Sequence, residues 1–216
     1  MRSLTPLEAR VLGVLVEKQA SVPDTYPLSL NALVAGCNQK TARDPVIAAT
    51  VAEVLTAVDG LKDLSLLFES SGSRVARYEH NMARGLALPS QAAALLAVLM
   101  LRGPATAAEL RLTCERLHRF ADISSVEGFL EELAAKAEPM VVKLNRAPGE
   151  REARWAQLLC GEVAQPAARA GGHDEGAGSV SAGELSALRA EQTRLATEVA
   201  ELKALVQRLA RELGVE

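Results

Sequence analysis

Residues 44–80, DPVIAATVAEVLTAVDGLKDLSLLFESSGSRVARYEH, change their periodicity part-way through, and that change decides the fold class. Asp44 followed by Pro45 reads as a helix cap with proline in the first turn, where its missing N–H has no helical partner to lose. From there Ile47, Val51, Val54, Leu55 and Val58 recur at three- and four-residue spacing, which predicts the buried stripe of a helix. After this the pattern shortens. Residues 64–69 and 74–80 are short runs containing β-branched and aromatic side chains, parted by Ser70-Ser71-Gly72-Ser73, and they predict a hairpin.

Upstream, Thr5-Pro6-Leu7-Glu8 has the capping threonine, early proline and third-position glutamate of a helix start. Leu7, Val11, Leu12, Val14 and Leu15 continue that helix to about Gln19, and Pro23 and Pro27 break the chain beyond it. Ser29 can cap a second helix carrying Leu30, Leu33 and Val34 and ending near Gly36. Downstream the same order returns without close identity. Residues 90–102 form an apolar helix closed by Gly103-Pro104, and Thr106-Ala107-Ala108-Glu109 opens another that runs to about His118. Ser124-Ser125-Val126-Glu127 starts a third, with Val126, Phe129, Leu130 and Leu133 inward. Residues 140–146 and 152–158 make a second hairpin with Ala147-Pro148-Gly149-Glu150 at its tip. Three helices and a two-stranded flap, twice, is the order of tandem winged helices. The expected fold is therefore mainly α with small β-hairpins: winged-helix domains at 1–85 and 86–160, a flexible linker at 161–183 and a coiled-coil helix at 184–216.

The last segment is heptad-patterned. Leu185, Gln192, Val199 and Val206 fall at one apolar position and Leu188, Leu195, Leu202 and Leu209 at the other, which suits a parallel two-stranded pairing and hence a homodimer. A single helix docked on its own domains is the competing reading. The glycines at 171–178 lack the following Lys-Ser or Lys-Thr of a phosphate loop.

Composition narrows the function classes. The 216 residues are 49% hydrophobic and 24% charged, which is ordinary for a globular chain, and at 3% aromatics there is little to stack bases. The formal charge of −3 conceals balance: residues 1–88 and 89–161 each hold nine basic and nine acidic side chains, so any attraction to a polyanion must be local. Cys37, Cys114 and Cys160 are odd in number and widely spaced, as reduced thiols of a cytosolic protein would be. With no signal-like start and no apolar run of membrane length, a soluble cytoplasmic protein without membrane contact is expected. His80, His118 and His173 share no spacing with cysteines or carboxylates, so neither a metal, a cofactor nor catalysis is expected.

Several stretches resemble the bacterial YceH family: residues 26–33 (YPLSLNAL), Cys37-Asn38-Gln39-Lys40-Thr41, Arg43-Asp44-Pro45-Val46, Glu17-Lys18-Gln19, Ser73-Arg74-Val75, Tyr78-Glu79-His80 and Leu101-Arg102-Gly103-Pro104. The similarity spans roughly residues 4–160; Ala42 stands where that family commonly has Asn. It implies two winged-helix domains and leaves function to be argued from the surface, since fold alone does not assign one. A polar cluster, Asn38, Gln39, Lys40, Thr41 and Arg43, beside a helix start, with Arg74 and Arg77 on the first flap, is the expected DNA-binding surface of a non-enzymatic transcriptional regulator. The alternative is a protein-interaction adaptor. It is suggested by the alanines of the third helix and by Glu127, Glu131 and Glu132 on the second-half counterpart, a face suited to a protein partner rather than DNA.

Overall fold

The computed structural model describes residues 1–70, 75–146 and 150–163. Helix α1, Pro6–Ser21, begins where the sequence says it should. The Thr5 hydroxyl accepts from the Glu8 N–H and the Glu8 carboxylate accepts from the Thr5 N–H, satisfying two otherwise orphaned donors. A single 3-10 turn, Pro23–Thr25, leads to the two-residue strand β1, Leu28–Ser29, and then to α2, Leu30–Cys37, capped by Ser29. The third helix corrects the sequence reading. α3 is Val51–Asp63, and its cap is Thr50, paired reciprocally with Glu53; residues 46–50 are not helical. Asp44 makes no cap. Its N–H goes to the Leu101 carbonyl at 2.8 Å, the Asp44-Pro45 peptide is cis, and Arg10 holds the Pro45 carbonyl at 2.6 Å. With the start moved, Val54, Ala57, Val58 and Leu61 face the core, whereas Val51 and Leu55, expected inside, are 48% and 40% exposed.

Strands β2, Leu67–Ser70, and β3, Arg77–His80, form the predicted antiparallel flap in a shorter version, and β1 joins its far side in the order β1-β3-β2. Leu28 lies opposite Tyr78, and Leu67 opposite His80. A short helix α4, Met82–Gly85, then turns the chain into α5, Ser90–Arg102. Every residue of α5 from Ala92 to Leu101 is buried, as a helix apolar on all sides must be. α6, Ala107–Thr113, carries the expected capping box of Thr106 and Glu109 but ends well before His118. α7, Ile123–Ala134, is capped by Asp122 rather than Ser124. β4, Val141–Lys143, and β5, Trp155–Gln157, pair antiparallel, with the Lys143 ammonium 5.2 Å above the Trp155 ring.

The described part is thus mainly helical, with seven α-helices and two small antiparallel sheets. Its core is one continuous cluster. α1 packs along α5, Val11, Leu12 and Leu15 of the first meet the layer that holds Leu95, Leu96 and Leu99 of the second, and the Leu4 N–H bonds the Leu159 carbonyl at 2.7 Å. Each such leucine removed from water contributes roughly 1.5–3 kcal/mol, so the two halves are fastened by the same burial that folds them. Residues 164–183 of the expected linker and the heptad segment, with its residues Leu185 to Leu209, lie outside the described residues, as does Arg74.

Candidate functional site

The polar cluster between α2 and α3 divides into residues that build the loop and residues that face outward. Asn38 belongs to the first group: its amide donates to the Ala49 carbonyl and accepts from the Ala49 N–H, both at 2.8 Å, clamping the loop's two ends. Arg43 does too. Its guanidinium has no solvent exposure, binds both Glu17 carboxylate oxygens at 3.1 and 2.6 Å, and also reaches the carbonyls of Gly36 and Ala42. Burial pushes the Glu17 carboxyl up, but the Arg43 hydrogen bonds and charge, helped by Lys18, more than reverse that and hold it ionised. Arg43 is therefore withdrawn from any ligand at the surface.

Gln39, Lys40 and Thr41 remain. Gln39 accepts from the Lys18 ammonium at 3.3 Å and donates to the Thr41 carbonyl at 3.0 Å and hydroxyl at 3.2 Å, so side chains from α1 and the loop share one small network. Lys40 and Thr41 are exposed. Beside them opens a cleft of about 510 Å³ lined by Lys18, Gln39, Thr41, Arg102, Glu115 and Arg116 among others. Arg102 is the last residue of α5 and Arg116 follows α6, so the fold brings cations from the second half to the loop of the first. Three basic side chains face two carboxylates here, and one of those, Glu17, is already neutralised by Arg43. Arg77, the other cation expected to contribute, is exposed on β3 and donates to the Pro27 carbonyl at 2.9 Å. Sequence reasoning did not place Arg102 in this group, because nothing local in residues 100–104 signals a neighbour sixty residues away.

The thiols of Cys37 and Cys114 are buried and pushed up to about 12 by desolvation, and all three cysteines are unpaired. His80 Nε2 lies 2.8 Å from the side-chain Oε1 of Gln19 and its Nδ1 accepts from the Met82 N–H at 3.3 Å, an arrangement that suits the neutral ring; burial pulls its pKa down to about 4. Among the described residues no three His, Cys, Asp or Glu side chains gather as metal ligands do, and no helix is long and apolar enough to cross a membrane.

A family model described as a protein of unknown function, DUF480, matches residues 4–150. The chain belongs to the DUF480 family. Its DUF480 relatives include UPF0502 proteins from Burkholderia cenocepacia, 66% identical over 219 residues, and from Burkholderia pseudomallei, 66% identical over 216 residues. Each alignment covers all of this DUF480 chain and 92% of the relative. The matched DUF480 region contains every residue of the cleft and all elements from α1 to β4.

Proposed function

We propose that the chain is a non-enzymatic DNA-binding protein whose two halves are winged helices, α1-α2-α3 with the β2–β3 flap and α5-α6-α7 with the β4–β5 flap. The element order supports this, as does the YceH resemblance. The observation that carries it is the cleft where Lys18, Gln39 and Thr41 meet Arg102 and Arg116, with Lys40 exposed beside it. Contact runs to the phosphate backbone rather than to base edges. The outward face of α3 offers Val51, Ala52, Glu53, Leu55, Thr56 and Asp59, which include no amide or guanidinium able to read a groove.

Lys40, Arg102 and Arg116 offer about three phosphate contacts, with Glu115 of the cleft opposing them. That predicts a logarithmic salt slope of about −2.7, or a roughly 40-fold loss of affinity between 50 and 200 mM salt. Fluorescence anisotropy with a mixed-sequence duplex tests this. Binding at 50 mM salt that weakens on that slope, and a slope reduced by about one in each of Lys40→Ala, Arg102→Ala and Arg116→Ala, is the expected result. Absence of binding at 50 mM salt refutes the proposal.

A protein-adaptor reading is favoured by one observation, the exposure of Val51 and Leu55 on α3. Under it, Val51→Glu with Leu55→Glu releases a co-purifying protein and leaves duplex anisotropy unchanged. Homodimerisation through residues 184–216 completes the proposal, on the strength of the heptad pattern. Light scattering should register a halved mass when those residues are deleted; a monomer mass for the full chain rejects it.

A further inference from the structure

Three charged side chains are buried among the described residues: Glu8, Arg10 and Arg43. Two have counter-ions, Glu8 in Arg2 at 2.6 Å and Arg43 in Glu17 at 2.6 Å. Arg10, on α1, is 4% exposed and has none within 4 Å among the described residues. Its guanidinium donates to the Cys37 carbonyl at 3.3 Å and the Pro45 carbonyl at 2.6 Å, and its Nε–H has no partner. A desolvated cation with only neutral acceptors, one donor idle and Arg43 nearby is electrostatically incomplete. Burial first and then the Arg43 charge act against its protonated form, and the weaker opposing pull of Cys37 and Asp44 does not offset them.

Arg10 also lines a cavity of about 490 Å³, in the size range of small-molecule sites. One side of it is apolar, with Leu7 from α1, Ile47 and Ala49 from the loop before α3, and Leu99 and Met100 from α5, while Asp44, Glu53 and Gln157 add polar groups. Of the two carboxylates in the lining, Glu53 is engaged in capping α3, bound to the Thr50 N–H and hydroxyl at 2.7 Å each. Asp44 forms no ion pair with Arg10. A second negative group on a ligand would meet these carboxylates; one would not need to.

We propose that this cavity binds a small monocarboxylic acid, whose carboxylate supplies the counter-ion Arg10 lacks and whose hydrocarbon body lies against Leu7, Ile47, Leu99 and Met100. The assignment is independent of DNA binding. It is tested by calorimetric titration of the full chain with hexanoate and phenylacetate, and with hexanamide and phenylacetamide as neutral matches of the same shape. The acids should bind in the millimolar range or tighter and the amides at least about tenfold more weakly, the difference a charged hydrogen bond makes. Arg10→Met should remove that discrimination. Because Arg10→Met also strips a partner from two carbonyls, Ala49→Leu provides the second arm: it narrows the cavity, keeps Arg10, and should sharply weaken acid binding while thermal unfolding shows an intact fold. Acids and amides binding alike, neither acid binding, or full acid binding by Ala49→Leu each overturns the assignment.

Discussion

Arg43 and Glu17 form a two-pronged ion pair, 3.1 and 2.6 Å, around a guanidinium that no solvent reaches. Such a pair is costly to break from one side, because the survivor keeps its charge and loses its compensation. Glu17→Gln should therefore lower stability by about 3 kcal/mol in urea denaturation. The double change Glu17→Leu with Arg43→Met should recover most of that loss. A cost for Glu17→Gln of half a kilocalorie or less, on the order of a surface pair, would show that the contact is not the one holding the loop.

Acid should lower the protein's stability in two steps along the pH axis. The neutral, half-buried His80 ring has its pKa lowered from 6.5 to about 4, so the unfolded chain takes up a proton that the folded one refuses. Stability from this source is complete above pH 6.5, falls as pH drops toward 4, and is then constant, with a loss on the order of 1–3 kcal/mol. Glu8 and Glu17 are both held below the ordinary 4.5 of a carboxylic acid, Glu8 chiefly by its hydrogen bonds from Arg2. Their contribution is present above pH 4.5 and disappears as pH falls through the lowered values. Melting temperatures between pH 7 and 3 should show both arms, and His80→Asn should flatten only the upper one.

Ala42 has a φ of 57°, in the left-handed region where a Cβ crowds the backbone and where Asn is better tolerated than Ala. Ala42→Asn should raise stability by roughly 0.5–1 kcal/mol and Ala42→Val should lower it by at least about 1 kcal/mol. Equal melting curves for all three would mean the loop shifts freely.

Gly60, on the inner side of α3, faces the Glu8 carboxylate and the Arg2 guanidinium, whose Nη2 also donates to its carbonyl at 3.3 Å. A methyl group there would occupy the space of the Glu8 Oε1 atom. Gly60→Ala should cost about 1–3 kcal/mol despite the better helix propensity of alanine, measured by chemical denaturation. Gly128 on α7 has open space beside it, so Gly128→Ala is the control and should stabilise by up to about 1 kcal/mol.

What could be read in advance follows the range of the forces involved. The Thr5 and Thr106 capping boxes and the all-apolar α5 are local signals and lie where the sequence puts them. The start of α3 was misplaced because Asp44-Pro45 and Thr50-Val51-Ala52-Glu53 are both plausible helix openings. The choice between them is made by distant partners, the Leu101 carbonyl and Arg10. The same six-residue displacement turned Val51 and Leu55 outward. Strand β1 is too short to show alternation and exists only because β3 offers it an edge. In the candidate site, Gln39, Lys40 and Thr41 were visible as a polar run, whereas the withdrawal of Arg43 and the arrival of Arg102 depend on pairings across the chain.

The continuous core has a mechanical corollary. Since α5 is sheathed on every side and α1 supplies one of its walls, a chain severed between α4 and α5 would leave each fragment with a bare oily seam. Such pieces would clump or remain molten, and heat should melt residues 1–160 as a single block. Whatever the cleft and the Arg10 cavity hold, a tug on either is felt by both halves at once.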